Sequence, residues 1–129
     1  MITTIYAALL ALMLIALSVN IINARRKFGV GLGDSDNIQM TRCIRAQANL
    51  AEYVPIFIIL LGFSEHNGLP IWAIHMFGLV FLFGRFMHAY SLLKLEKYDQ
   101  SQKLMAKPIW RIRGMICTFA SIGMLAIIL

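Results

Sequence analysis

Charge is what this chain lacks most. Asp, Glu, Lys and Arg make up 14% of its 129 residues, against about 25% in a soluble domain, while 60% are apolar. A chain so poor in charge is suited to lipid as solvent. Cysteine is nearly absent: Cys43 and Cys117 stand at no metal-ligand or redox spacing. No metal site is therefore expected, and with Cys43 expected to face a reducing cytosol, no disulfide either. There is no internal repeat or low-complexity segment, and the glycine-rich run GVGLGD at Gly29–Asp34 lacks the following Lys and Ser or Thr that a phosphate loop requires. Nothing suggests more than one domain over residues 1–129.

Long apolar runs are what the chain has instead. A helix rises about 1.5 Å per residue and the hydrocarbon core is roughly 30 Å thick, so about 20 apolar residues make one span. Four stretches qualify: Ile2 to Ile22, about Arg45 to Phe63, about Leu69 to Leu93, and about Ile109 to Leu129. The first carries no charge. It also lacks the basic leader and the short apolar core of a cleaved signal peptide, so it is expected to remain as a helix. Asn67-Gly68 followed by Pro70 supplies a tight turn between the second and third stretches. The expected fold is all-α, a transmembrane four-helix bundle.

Basic residues set the expected orientation. Arg25, Arg26, Lys27, Arg42 and Arg45 lie in or beside the first loop, Lys94, Lys97, Lys103, Lys107, Arg111 and Arg113 flank the third, and the middle turn has none. Since such residues stay on the cytoplasmic side, both long loops are expected there and both termini opposite. The net charge of +6 forms collars at helix ends, which topology and anionic lipid account for without nucleic acid.

Polar residues within the spans are the functional signal, because an ionisable group in hydrocarbon costs about 2.5 to 3.5 kcal/mol on insertion scales. Glu52 lies about 10 Å below the cytoplasmic edge and Arg85 about 13 Å, by helix rise from Arg45 and Lys94. Their similar depth predicts a Glu52–Arg85 ion pair or shared network between the second and third helices, serving either a site or packing alone. Arg42, Arg45, Asn49 and Glu52 recur at helical spacing and form one polar stripe, expected to face other helices and line a cleft. His88, one turn from Arg85, is a further candidate for that network, whereas the isolated His75 is expected to be a packing residue. Arg111 and Arg113 fall at the start of the fourth helix, placed either to mark topology or to reach over the cleft mouth.

Several arginines with one deep carboxylate suit a small ligand that carries both carboxylates and an ammonium. Arginine grips a carboxylate with two parallel hydrogen bonds, a carboxylate such as Glu52 would hold the ammonium, and Asn49 would satisfy amides. Glutathione has these groups, as do other zwitterions.

The segment RAQANLAEYVP, Arg45 to Pro55, resembles the second-helix signature of the MAPEG family, the membrane-associated proteins of eicosanoid and glutathione metabolism. ARR at Ala24–Arg26, GVGLGD, FGRFMHAY at Phe83–Tyr90 and Pro108-x-x-Arg111 extend the likeness, which looks closest to bacterial members. The resemblance implies a homotrimer in a bacterial inner membrane, with glutathione as co-substrate bound between subunits near the cytoplasmic side. It implies glutathione contacts at Arg45, Gln47, Asn49, Glu52, Tyr53, Arg85 and His88, with Arg26 or Arg25 from the first loop. It further implies a catalytic arginine that stabilises the thiolate, Arg111 by alignment and Arg113 as runner-up. A nearby cation favours the thiolate of a thiol whose ordinary pKa is about 8.5. This chain departs from well-known members at Leu92, where they carry a glutathione-contacting tyrosine, and in a longer third connection.

Two functions follow from that resemblance. One is a glutathione-dependent transferase or peroxidase acting on lipophilic electrophiles from the bilayer; the other is a non-catalytic scaffold holding glutathione or a lipophilic ligand. Retention of Arg45, Asn49, Glu52 and Tyr53 together tilts the reading toward the enzyme.

Overall fold

The computed structural model describes all 129 residues. Four helices run in order: α1 (Thr3–Phe28), α2 (Ile38–His66), α3 (Ile71–Tyr90), continued by one π-helical turn (Ser91–Leu95), and α4 (Ile109–Ile128). Each is long and apolar enough to cross a membrane. The chain is thus an all-α membrane four-helix bundle. Its outer faces are apolar, with Leu12, Ile15, Phe63, Leu79 and Phe83 all exposed, which is the arrangement that lipid, unlike water, solvates well.

The helices extend past their apolar runs. Positive side chains in a last turn interact favourably with the free carbonyls of a helix end, so Arg25, Arg26 and Lys27 continue α1 to Phe28 instead of ending it. Similarly, α2 begins at Ile38, where the side chain of Asn37 accepts from the N–H groups of Gln39 and Met40 at 3.0 and 3.1 Å. The first loop is correspondingly shorter than its polarity suggests. Arg25 ties it down by donating to the carbonyl of Gly33 at 3.0 Å.

α1 packs chiefly on α2, and α3 on α4. Between α3 and α4 the backbones nearly touch. A Cβ added at Gly114 would lie 2.5 Å from the carbonyl oxygen of Gly84, and one added at Gly84 would lie 2.7 Å from Cβ of Cys117. Small residues at this crossing permit the close approach that helix pairs in membranes rely on, and they bring the Arg85–His88 turn of α3 against α4. The two halves join through the core, where the rings of Phe57 and Phe81 stack at 3.7 Å.

Each end of the bundle is tied separately. At one end the Glu65 carboxylate accepts from the N–H groups of Ile2 and Thr3, which satisfies otherwise free donors at the start of α1. At the other, Gln102 of the long connection donates to the carbonyl of Asp36 in the first loop at 2.8 Å. The two long loops therefore share one end, opposite the α2–α3 turn.

Candidate binding groove

A groove of about 680 Å³ opens between α2 and α4 near the loop end. Its polar wall is built from Arg42, Arg45 and Asn49 of α2, with His88 of α3 and Leu92 of the π turn. Its other wall is the apolar face of α4, Ile112, Met115, Ile116 and Phe119, with Arg111 at the loop end of that face. Tyr98 and Gln102 of the long connection stand at the mouth. Charged donors thus oppose an apolar surface, and Ile112, Ile116 and Phe119 are themselves exposed on the outside of the bundle.

Arg85 lies beneath this groove, 2% exposed, and its partner is not the one its depth suggests. It donates through Nη1 to Asn49 Oδ1 and through Nη2 to the Met115 sulfur at 3.2 Å, and its guanidinium faces the rings of Tyr53 and Phe81 at 5.4 and 5.9 Å. Nε has no partner. The expected Glu52–Arg85 ion pair is not formed: Glu52 Oε1 lies 3.8 Å from Arg45 Nη1, with both side chains about half exposed. Equal depth does not align two side chains in azimuth. Asn49, one turn closer to the interface, meets Arg85 first. Because a guanidinium only donates, Asn49 must turn its oxygen to Arg85, which leaves its NH2 group as a donor for the groove.

The other expected site residues divide. Arg45, Asn49, His88 and Arg111 come together at the groove, whereas Glu52, expected on the same stripe, stays outside its lining and is exposed, because the next turn of α2 rotates away from α4. Tyr53 supports it from behind, edge-on to Phe119 at 5.6 Å. Gln47 turns to the far side of α2 and donates to Ser18 of α1 at 3.5 Å. Arg26 is exposed on the last turn of α1, away from the groove lining. Arg113 is exposed and lies over the Trp110 ring at 5.1 Å. Tyr90 points outward and stacks on Phe86, while Leu92 is buried in the groove wall. His75 accepts or donates at Nδ1 with the Tyr6 hydroxyl at 2.8 Å.

Two residues at the groove mouth, Glu96 and Tyr98, escaped the pattern of the sequence. The π turn hydrogen-bonds Glu96 N–H to the Ser91 carbonyl at 3.0 Å and turns the chain so that the Glu96 carboxylate is buried, 7% exposed. One oxygen accepts from Tyr98 and pairs with Arg111 Nη1 at 3.2 Å; the other accepts from Ser91 Oγ at 3.2 Å. Burial, followed by the bond to Glu96 and its charge, raises the Tyr98 phenol above its ordinary pKa. Arg42 secures the same turn, donating to the carbonyls of Leu92 at 2.6 Å and Glu96 at 2.9 Å. The available signal was an acid and a phenol two residues apart in a lysine-rich stretch. Asp99 shares that stretch and stays exposed, so the pattern alone does not say which acid turns inward.

The MAPEG family model matches residues 3–129, and the chain belongs to that family. It is 38% identical over 91 residues, 70% of each chain, to the inner membrane protein YecN of Escherichia coli K12. It is 31% identical over 116 residues, 84% of this chain and 71% of the relative, to leukotriene C4 synthase of Bos taurus. The protein is accordingly an integral membrane protein, and its family supports a glutathione-related function in general terms.

Proposed function

We propose that the groove binds glutathione and activates its thiol for transfer to a lipophilic electrophile, by conjugation or peroxide reduction. The observation that carries this reading is the opposition of the two walls. Arg42, Arg45 and the Asn49 amide present donors on one side, and an exposed apolar strip of α4, with Arg111 at its loop end, faces them. A guanidinium grips a carboxylate through paired hydrogen bonds, which suits the two carboxylates of glutathione, and Glu52 beside Arg45 offers the charge for its ammonium. The α4 strip would admit an apolar co-substrate from the bilayer. Arg111, at the edge of that strip, is the cation best placed to hold the thiolate. The thiol proton passes to water; in conjugation the sulfur then bonds to the electrophilic carbon and the leaving group departs with the bonding pair. With a peroxide the sulfur takes the terminal oxygen, the alkoxide leaves and is protonated, and a second glutathione thiol displaces water from the sulfenic acid to give the disulfide.

Assembly completes this reading. Arg45 and Glu52 are half exposed on α2, which is costly in lipid for Glu52 at its depth of about 10 Å, while Gln47 and Arg26 lie outside the groove lining. A homotrimer would cover the first pair and let one copy's Gln47 and Arg26 complete a neighbour's groove. The loop end faces the cytoplasm and its glutathione in this arrangement, and the termini face the opposite side, as the basic collars favour.

The test uses purified protein in detergent: glutathione binding by calorimetry, thiolate formation by ultraviolet absorbance, and conjugation of a chlorinated nitrobenzene. Arg111→Ala abolishes thiolate formation and turnover on this reading, and Arg113→Ala leaves both intact. Binding without thiolate formation or turnover in the wild type would replace the transferase with a scaffold.

A further inference from the structure

We infer that Glu96 is a positioning residue for Arg111: the buried carboxylate holds the guanidinium against the groove wall and fixes where its remaining donors point. This rests on the reading of Arg111 as the thiolate-stabilising group and adds the residue that controls it.

The geometry is that of an anchored anchor. Glu96 is 7% exposed, and a carboxylate so placed needs its lone pairs filled. Ser91 Oγ fills one oxygen; the Tyr98 hydroxyl and Arg111 Nη1 fill the other. Ser91 is 1% exposed, and the Glu96 main chain is itself held, its N–H by the Ser91 carbonyl and its own carbonyl by Arg42 Nη2. The carboxylate is therefore fixed before Arg111 reaches it. Arg111 is not so fixed: its side chain is 31% exposed, and Glu96 is its acidic partner. A long side chain at a membrane boundary would otherwise swing toward water. Engaging Nη1 with Glu96 leaves Nη2 and Nε as the donors for the groove that Arg111 lines.

Glu96 has two opposed effects on a bound thiolate. Its negative charge disfavours the thiolate, whereas its hold on Arg111 favours it. Two conservative substitutions separate these effects. Glu96→Gln removes the charge and keeps an oxygen at the same reach; Glu96→Asp keeps the charge and withdraws it by one methylene.

The experiment measures the thiolate-to-thiol ratio of bound glutathione across pH, with affinity measured in parallel, on the full chain in detergent. Positioning predicts that Glu96→Gln raises the ratio severalfold, while Glu96→Asp lowers it about tenfold, one pKa unit, with glutathione affinity unchanged within about threefold. Tyr98→Phe, which removes one donor but leaves the pair, changes the ratio less than Glu96→Asp does. If Glu96→Asp matches the wild type, Glu96 acts by charge alone and the inference is overturned while the glutathione reading stands. If the wild type binds no glutathione at all, the reading of the groove falls first and this role falls with it.

Discussion

The two ends of the bundle hold similar polar chemistry and use it differently. At the terminal end, the Tyr6 hydroxyl meets His75, the Tyr6 ring fills the space beside Gly78, and the Glu65 carboxylate ties the first N–H groups of α1. Each of these groups is taken up by a fixed partner within the chain, and the two hydroxyls without one there, Thr3 and Ser64, are buried away from the groove. At the loop end, Arg42, Arg45, Asn49 and Arg111 all border a groove of about 680 Å³, and the Asn49 amide is left with donors facing it. What separates a structural polar contact from a site here is surplus: more donors than the chain's own acceptors use, placed beside open space. Arg85 is the limiting case, a buried cation that is held by an amide, a thioether and two ring faces with no carboxylate.

That contrast is broken most sharply by paired substitutions at the two ends. Arg111→Ala is expected to lower conjugation of a chlorinated nitrobenzene about 100-fold or more, the usual scale for losing a donor to a developing or resident anion, while Tyr6→Phe leaves turnover unchanged. Equal losses would mean that the groove has no special place in the chemistry.

Next in size is the α3–α4 crossing, which shapes the groove without lining it. Gly114→Ala forces a Cβ to within 2.5 Å of a carbonyl oxygen and should cost about 1 to 3 kcal/mol, read as a lower unfolding temperature in detergent. Gly123→Ala meets nothing within 4 Å and serves as the neutral control. A third substitution addresses surplus directly. Asn49→Asp gives Arg85 a carboxylate and removes the amide donors of the groove, so glutathione affinity should fall about tenfold, the loss of roughly one hydrogen bond to a charged group, with the fold retained.

The smallest effects are expected away from the groove. Tyr6→Phe should cost about 1 kcal/mol of stability, one buried hydrogen bond. The first loop should respond to acid. Asp34 accepts from the Thr41 hydroxyl and the Asp36 N–H, and those bonds hold its carboxyl below the ordinary range. A carboxyl whose folded pKa is lowered contributes its stability above the unfolded value, near 3.8, and loses it as pH falls through the lower folded value. Hydrogen exchange at Asp36 and Thr41 should therefore quicken only in strong acid, and Asp34→Asn should remove that dependence.

The four spans and the basic collars were legible in the sequence because they follow from local composition against a known bilayer thickness. So was the polar stripe of α2 down to Asn49, since helical spacing alone puts Arg42, Arg45 and Asn49 on one face. Pairing was not. Glu52 and Arg85 match in depth, yet their azimuths depend on how α2 and α3 rotate in packing, and Asn49 stands between them. Gln47, inside the same signature, faces α1 because a helix sends every second neighbour to a different side.

The chain order alone made this a four-span membrane protein of a recognisable family, with arginines at one end, because hydropathy and charge act residue by residue. Packing decided which of those arginines share a groove. It brought Arg111 of α4 to Glu96 beyond the π turn and set it across the groove from Asn49 of α2, through a crossing that Gly84 and Gly114 allow. Such contacts depend on the rotation and spacing of whole helices, which no single stretch of sequence encodes.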